Sequence, residues 1–281
     1  MGFNDALLEI AARGSKNFTM DEGDYIKDGL IHCGKCNTPR QTRIDIGNGQ
    51  KLEPICLCKC RMEARDKEAA EMKARERALY NERLRRRCIK DDKLLSFTFE
   101  NDKRPESKYS AIFNRYCEKW EQIKAENISL ILWGETGRGK SFYAGCICNR
   151  LISMGVEAYA TTEPNIINEL FGLTDKAAYI SRLARYPLLL IDDFGAARAT
   201  EYSREQIYTI VDERYKANLP TLFTTNITPQ QFNAPASIAE GRIYDRIKAM
   251  GQFIEIKGKN WRQDEAERKA AAFVEIMSGG D

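Results

Sequence analysis

The residues best able to do chemistry fall in three stretches. The first, GETGRGKS (134–141), carries Gly134, Gly137 and Gly139 and ends in Lys140 and Ser141. Glycines at this spacing let the backbone turn tightly enough for successive N–H groups to point inward at phosphate oxygens. Lys140 then places a positive charge on the β- and γ-phosphates of a nucleotide, and Ser141 offers a hydroxyl to Mg2+. The expected phosphate-binding run is Gly134, Glu135, Thr136, Gly137, Arg138, Gly139, Lys140 and Ser141, followed by Phe142. It sits between a short apolar run and a helical pattern, the context that gives this motif its meaning.

The second stretch is LLLIDDFG (188–195), an apolar run that ends in Asp192 and Asp193. Beside a phosphate loop, the first acid is expected in the Mg2+ sphere and the second against the attacking water. A further apolar run, LFTTN (222–226), ends in polar residues, of which Asn226 is the candidate to hold that water and sense the γ-phosphate. The third stretch gathers thiols. Cys33 and Cys36 have the C-x-x-C spacing of a metal knuckle, and Cys56, Cys58 and Cys60 return about twenty residues later. A structural Zn2+ takes four tetrahedral ligands, so the first pair needs two of the later three. The choice falls on Cys58 and Cys60, which abut the next helix, with Cys56 as the spare and His32 left out. Cys88, Cys117, Cys146 and Cys148 lie in helical patterns and read as small apolar residues.

The elements that must position these groups follow from the periodicity. From Pro105 onward short apolar runs alternate with helical stretches: ISLILW (128–133), VEAYATT (156–162), PLLLID (187–192), PTLFTTN (220–226) and QFIEIKG (252–258). That alternation predicts an α/β fold, a parallel sheet covered by helices on both faces. Tyr109, Ile112, Phe113, Tyr116, Trp120 and Ile123 recur at helical spacing and predict one apolar stripe. Tyr143 and Tyr159 are candidates for base stacking, though core positions suit both. Residues 61–104 hold neither Gly nor Pro and are dense in Arg, Lys, Glu and Ala, which predicts a long exposed helix. Its RLRRRCIK segment concentrates Arg83, Arg85, Arg86, Arg87 and Lys90, either as a solvated face or as a contact for nucleic acid or a partner. The expected organisation is a cysteine-rich module over 1–60, a charged helical linker over 61–104 and a nucleotide-binding domain over 105–281. With so few large apolar residues, the cysteine module must draw folding energy from its metal.

The composition excludes several classes. Hydrophobic content of 43% and charged content of 30% fit a globular chain rather than a membrane or disordered one. A net charge of +3 is too small to argue nucleic-acid binding by itself. The first residues, MGFNDALLEIAARGSKNF, carry early acids and lack the basic start and unbroken apolar run of a signal peptide, and Ala6 disqualifies a myristoylation site. No membrane association is therefore expected. A cytoplasmic location follows, where reduced, clustered cysteines bind metal rather than pair.

In order, GETGRGKS, LLLIDDFG, LFTTN, GRIYDRI (241–247) and NWR (260–262) resemble an AAA+ ATPase. In particular they resemble the replicative-helicase loaders of the DnaC/DnaI type and their IstB-like relatives. The resemblance covers about residues 95–265 and implies Lys140 and Ser141 as the Walker A pair, Asp192 and Asp193 as the Walker B acids, and Asn226 as first sensor. It further implies Arg246 as an arginine finger toward the ATP of a neighbouring subunit, with Arg242 beside it, and Arg262 as second sensor. Its implied partners are a replicative helicase of the DnaB type, single-stranded DNA, and further copies of the chain in a hexamer or spiral. ATP, Mg2+ and Zn2+ are the implied cofactors. Asp193 stands where many AAA+ proteins have Glu, which suggests slow, switch-like hydrolysis. Two other functions share these motifs: a transposition-helper ATPase that binds DNA and a transposase, and an adaptor that binds nucleotide without hydrolysing it.

Overall fold

The computed structural model describes residues 19–47, 49, 51–103, 108–196 and 200–278. The expectations for the N-terminal eighteen residues and the expected boundary at Pro105 lie outside them. The chain divides into two compact units, one ending at Leu79 and one beginning at Tyr80.

The first unit holds two small antiparallel hairpins. β1 (Tyr25–Lys27) pairs with β2 (Leu30–His32), and β3 (Ile44–Asp45) pairs with β4 (Lys51–Leu52). Ile26 is 67% exposed, and Ile44, Ile46, Ile55 and Leu57 are exposed too, so these strands close no apolar core. Polar contacts take its place. Buried Arg40 donates to Asp21 at 2.9 Å and to Asp24, and Asp21 also accepts from Arg61. Gly34 lies so close to Gly23 that a Cβ would come within 2.0 Å of the Gly23 carbonyl oxygen, so only glycine fits there.

In the second unit five parallel strands form one sheet in the order β6-β7-β8-β5-β9. They are β5 (Ser129–Trp133), β6 (Ala158–Thr162), β7 (Leu188–Phe194), β8 (Thr221–Thr225) and β9 (Gly251–Glu255). Side chains alternate across a strand, and both faces are apolar here. Leu130, Leu132, Leu188, Leu190 and Leu222 enter one buried cluster, while Ile131, Leu189, Ile191 and Phe223 enter the other. The α/β class expected from the sequence is what the chain adopts.

The helices run in chain order: α1 (Lys59–Cys88), α2 (Asp92–Leu95), α3 (Lys108–Glu118), α4 (Trp120–Ala125), α5 (Lys140–Ser153), α6 (Glu163–Gly172), α7 (Lys176–Arg185), α8 (Glu201–Lys216), α9 (Pro229–Phe232), α10 (Ile238–Met250) and α11 (Trp261–Ser278). The expected stripe on α3 and α4 buries Tyr109, Phe113, Tyr116 and Trp120, but Ile112 is 44% exposed. Tyr143 and Tyr159 are core residues, Tyr143 donating to Asp102 at 3.0 Å.

The long charged helix is shorter than the composition suggests. α1 stops at Cys88, because Leu84, Cys88, Ile89 and Leu94 are drawn into the core and Ile89 bridges Ala160 on the sheet's edge strand. Asp91 then caps α2 by accepting from the Lys93 N–H at 2.7 Å. The turn is held by Asn149, which donates to the carbonyls of Leu94 and Phe97 at 2.8 Å each. The basic cluster is partly consumed in the same packing. Arg85 donates to Asn149 at 2.7 Å, Arg86 to Glu82 at 3.0 Å, and Arg87 to Glu157. No helix among the described residues is long and apolar enough to cross a membrane.

Candidate nucleotide and metal sites

The loop 134–139 joins the C-terminal end of β5 to the first residue of α5, so the free N–H groups of a helix start face whatever the loop encloses. Gly137 has φ +80, and a Cβ there would stand 1.9 Å from Asn260 Oδ1. Only glycine combines that left-handed backbone with so close a neighbour. Lys140 Nζ donates to the Gly134 carbonyl at 2.8 Å, to the Glu135 carbonyl at 2.8 Å and to Asn226 Oδ1 at 2.7 Å. Burial lowers the Lys140 pKa and Arg262 adds to that, while Asp193 and Asp192 oppose it. Arg138 is tied to Glu135 at 3.0 Å and to the Gly258 carbonyl. Thr136 is exposed, and the ring of Phe142 packs on Phe97 and Tyr143.

The acids stand at the end of the adjacent strand pair. β7 follows β8 in regular register to Ile191, then shifts, so that Phe194 pairs with Thr225. Asp193 takes up the slack with φ 51, a left-handed conformation that Asp tolerates better than most residues. The bulge sends the two carboxylates different ways: Asp192 is 6% exposed, whereas Asp193 is open to solvent. Thr224 fixes both. Its hydroxyl donates to Asp192 Oδ1 and accepts the Asp193 N–H at 2.9 Å. Burial raises the Asp192 pKa, opposed by hydrogen bonds from Thr224 and Ser141. The Ser141 side chain thus stands close enough to Asp192 to act on its titration. A hydroxyl and a carboxylate are the hard oxygen donors Mg2+ takes, so the pair fits that ion.

Two further groups complete this end of the sheet. Glu163, 9% exposed at the start of α6, accepts the Gly195 N–H, and burial raises its pKa. Asn260 accepts the N–H groups of Arg262 at 3.1 Å and Gln263 at 3.3 Å, and the Trp261 N–H reaches the Gly137 carbonyl at 2.9 Å. The start of α11 is thereby fastened to the phosphate loop, with Arg262 exposed beside it. Arg242 and Arg246 are elsewhere, on α10. Arg242 is exposed, and Arg246 Nε donates to Asp212 on α8 at 2.9 Å. The structure brings Lys140, Ser141, Asp192, Asp193, Asn226 and Arg262 to one edge of the sheet and leaves the two α10 arginines out of it.

The sulfur atoms of Cys33, Cys36, Cys58 and Cys60 all lie within 4.8 Å of one another. Cys33 and Cys60 stand 3.7 Å apart and Cys58 and Cys60 3.4 Å, close to the roughly 3.8 Å edge of a tetrahedron of thiolates about 2.3 Å from Zn2+. Backbone N–H groups of Cys36 and Lys35 lower the Cys33 pKa, and a hydrogen bond from Thr38 helps bring Cys36 down to about 5. Hydrogen bonds with Cys58 and Cys36 push Cys60 up to about 12. Four thiolates this close repel one another unless a cation sits among them, so the donor set fits Zn2+. Cys56 faces the Pro39 carbonyl at 3.6 Å, and His32 Nδ1 the Leu30 carbonyl at 3.1 Å. Cys88, Cys117, Cys146 and Cys148 are buried and are not members of this cluster.

Sequence reasoning passed over Thr224, Glu163 and Asn260. The polar TTN exit from a strand signalled that one residue there matters, but not that Thr224 serves both acids. Nothing in the local pattern marked Glu163.

Known proteins place the chain in a family. The family described as IstB-like ATP binding protein matches residues 69–270. The replicative helicase loader DnaI of Bacillus subtilis (strain 168) is 26% identical over 146 residues, 47% of this chain and 47% of that protein. The replicative helicase loader DnaC of Escherichia coli (strain K12) is 26% identical over 133 residues, 46% of this chain and 53% of that protein. The chain spans about half the length of the curated relatives it matches. A crystal structure of DnaI shares the fold, with a TM-score of 0.51 at 23% identity over 61% of this chain and 93% of that one.

Proposed function

Because the chain belongs to the family of IstB-like ATP-binding proteins, we propose that it is an ATP-dependent loader of a ring-shaped replicative helicase of the DnaB type. The observation that supports this most is the meeting of Lys140, Asp192, Asp193 and Asn226 at one sheet edge, in a chain similar to proteins named replicative helicase loaders. In this reading the phosphates of ATP lie along residues 134–142, and Ser141 and Asp192 hold Mg2+. When bound there, Mg2+ would neutralise charge on the phosphates.

The chain's own residues then act as a switch. Lys140 gives its three donors to two loop carbonyls and to Asn226. A γ-phosphate draws Lys140 away and frees Asn226 to orient water, while Asp193, open to solvent, accepts the water's proton. Asp193 is a short carboxylate, so hydrolysis is slow. Arg262 contacts the nucleotide from the start of α11, and Arg246, with Arg242 beside it, acts on the ATP of a neighbouring copy in a hexamer or spiral around single-stranded DNA. Residues 1–60, with zinc bound, dock the helicase, the exposed first part of α1 connects, and the unit from Tyr80 onward forms the ATPase.

The test is co-purification of the full-length chain with the replicative helicase, with and without ATP. Recovery should rise with ATP, fall in Lys140→Ala, and vanish in a chain lacking residues 1–60. Recovery of a transposase in place of the helicase would overturn the loader reading. Unchanged loading and turnover in Asp193→Asn would overturn hydrolysis as the switch.

A further inference from the structure

Arg246 is held in an unusual way. Its Nε donates to Asp212 Oδ1 at 2.9 Å, and its guanidinium lies 4.8 Å from the centroid of the Tyr215 ring. Asp212 is 8% exposed, and its other oxygen is taken by Lys216 at 2.6 Å. An arginine that only pairs with a carboxylate commonly uses its two-pronged edge. Here Asp212 has one oxygen to give, Tyr215 covers a face, and the two terminal Nη groups meet no acceptor among the described residues. The plane of the guanidinium is fixed while its outer edge is open.

Tyr215, against which the guanidinium lies, is not at the chain's own phosphate loop. Tyr215, Ala249 and Met250 line a groove of about 550 Å³ with Glu126, Ile128 and Gln252, at the N-terminal ends of β5 and β9. The phosphate loop follows the C-terminal end of β5, and five strand residues separate the two edges by about 15 Å.

We propose that Asp212 and Tyr215 are positioning residues that hold the Arg246 guanidinium edge-outward for a phosphate bound in a second copy of this chain. The inference rests on the reading of Arg246 as a residue acting between copies and names what makes it competent. Asp212 sets direction through Nε, Tyr215 keeps the plane, and Lys216 limits Asp212 to a single contact. A bidentate carboxylate would consume the donors the phosphate needs.

Steady-state ATP hydrolysis by the full-length chain with single-stranded DNA tests this. Arg246→Ala should lower kcat by about a thousandfold. Asp212→Asn should lower it about tenfold with KM unchanged, since a loosened group loses rate rather than substrate affinity. Tyr215→Leu should lose about threefold, and Tyr215→Phe, which keeps the aromatic face, should restore most of that. Mixing Asp212→Asn with Lys140→Ala chains should raise turnover above the sum of the two, because the second chain brings an intact Arg246 to the first chain's nucleotide. No gain on mixing, or an unchanged kcat in Asp212→Asn, would overturn the inference while leaving the ATPase reading intact. Should Asp212→Asn fail to fold, equal rates in Tyr215→Leu and Tyr215→Phe would overturn it. An unchanged kcat in Arg246→Ala, or a wild-type chain that hydrolyses no ATP, would instead overturn the parent reading.

Discussion

Among the described residues up to Leu79, burial claims Cys33, Cys58 and Arg40, whereas the unit from Tyr80 onward closes an apolar cluster on each face of its sheet. The contrast shows where each unit's folding energy comes from. Burial of apolar area at about 25 cal/mol per Å² can hold the second unit without a ligand. The first has thiols and ion pairs instead, and a metal held by those thiols would supply the folding energy that its apolar residues do not. It follows that the two should respond to opposite treatments.

Metal removal should separate them most. Structural zinc sites in small domains are worth about 10–16 kcal/mol of apparent binding energy. Chelation, or Cys58→Ser, should therefore abolish amide protection in residues 19–58 and leave the β5, β7 and β8 amides protected, as read by hydrogen exchange. Cys56→Ser should keep its zinc, because its thiol faces the Pro39 carbonyl and not the cluster. Zinc loss in Cys56→Ser but not in Cys60→Ser would reverse the ligand assignment. Surviving protection after chelation would end the comparison itself.

The converse perturbation strikes the second unit alone. Arg214 is fully buried with no carboxylate partner among the described residues. It donates to Thr221 Oγ1 at 2.7 Å and to the carbonyls of Leu183 at 3.2 Å, Ala184 at 3.3 Å and Tyr186 at 2.9 Å, and also to that of Pro220. Three of these carbonyls belong to the C-terminal end of α7, where unpaired acceptors and the helix dipole both favour a cation. Arg214→Met fills the space and leaves those acceptors bare, at a cost of about 3–5 kcal/mol. Thermal melting of the second unit should fall by roughly 10 °C, with zinc content unchanged. A melting point within a degree or two of wild type would show that water replaces the guanidinium.

How much of this was legible beforehand depended on whether a residue's role is local. Gly137, Lys140 and Ser141 act within one turn of the chain, so their spacing alone marks them. The strand runs were legible for the same reason, since LLLI and SLIL carry both faces of a buried sheet. Arg214, Asp212 and Thr224 work only through residues brought together by folding; Thr224 meets Asp192 across 32 positions of sequence. The end of α1 at Cys88 belongs to that class too, because composition favours helix through 61–104 and only packing on the sheet stops it. Among the thiols, the spacing left Cys56, Cys58 and Cys60 as candidates, and the fold places two of them beside Cys33 and Cys36.

Thr224→Val sharpens the comparison within the second unit, since it changes the site and spares the core. The valine keeps the volume but removes a donor from Asp192 and an acceptor from the Asp193 N–H. Stability should fall by about 1–2 kcal/mol, the cost of leaving such groups unpaired. Hydrolysis should fall further than nucleotide binding, because Lys140 and the loop are untouched. Equal losses in both would mean that Thr224 supports the loop as well as the acids.

The smallest effect expected is a gain. Burial raises the Glu163 pKa above its ordinary value, opposed by the Gly195 N–H. The folded chain therefore holds that proton more tightly than the unfolded one. The stability this confers is full below the unfolded pKa of 4.5 and is lost as pH rises through the higher folded value. At neutral pH the buried carboxylate is a net burden. Glu163→Gln can still accept from Gly195 and removes that burden, so its melting point at pH 7 should rise by a few degrees at most. The gain should shrink as pH is lowered toward 4.5, where wild type regains its proton. A variant less stable than wild type at pH 7 would mean that the charge is used, holding the DDFG turn in a way a neutral amide cannot. In that case the nucleotide edge of the second unit, like the thiol cluster of the first, would depend on a charged side chain that an uncharged one cannot replace.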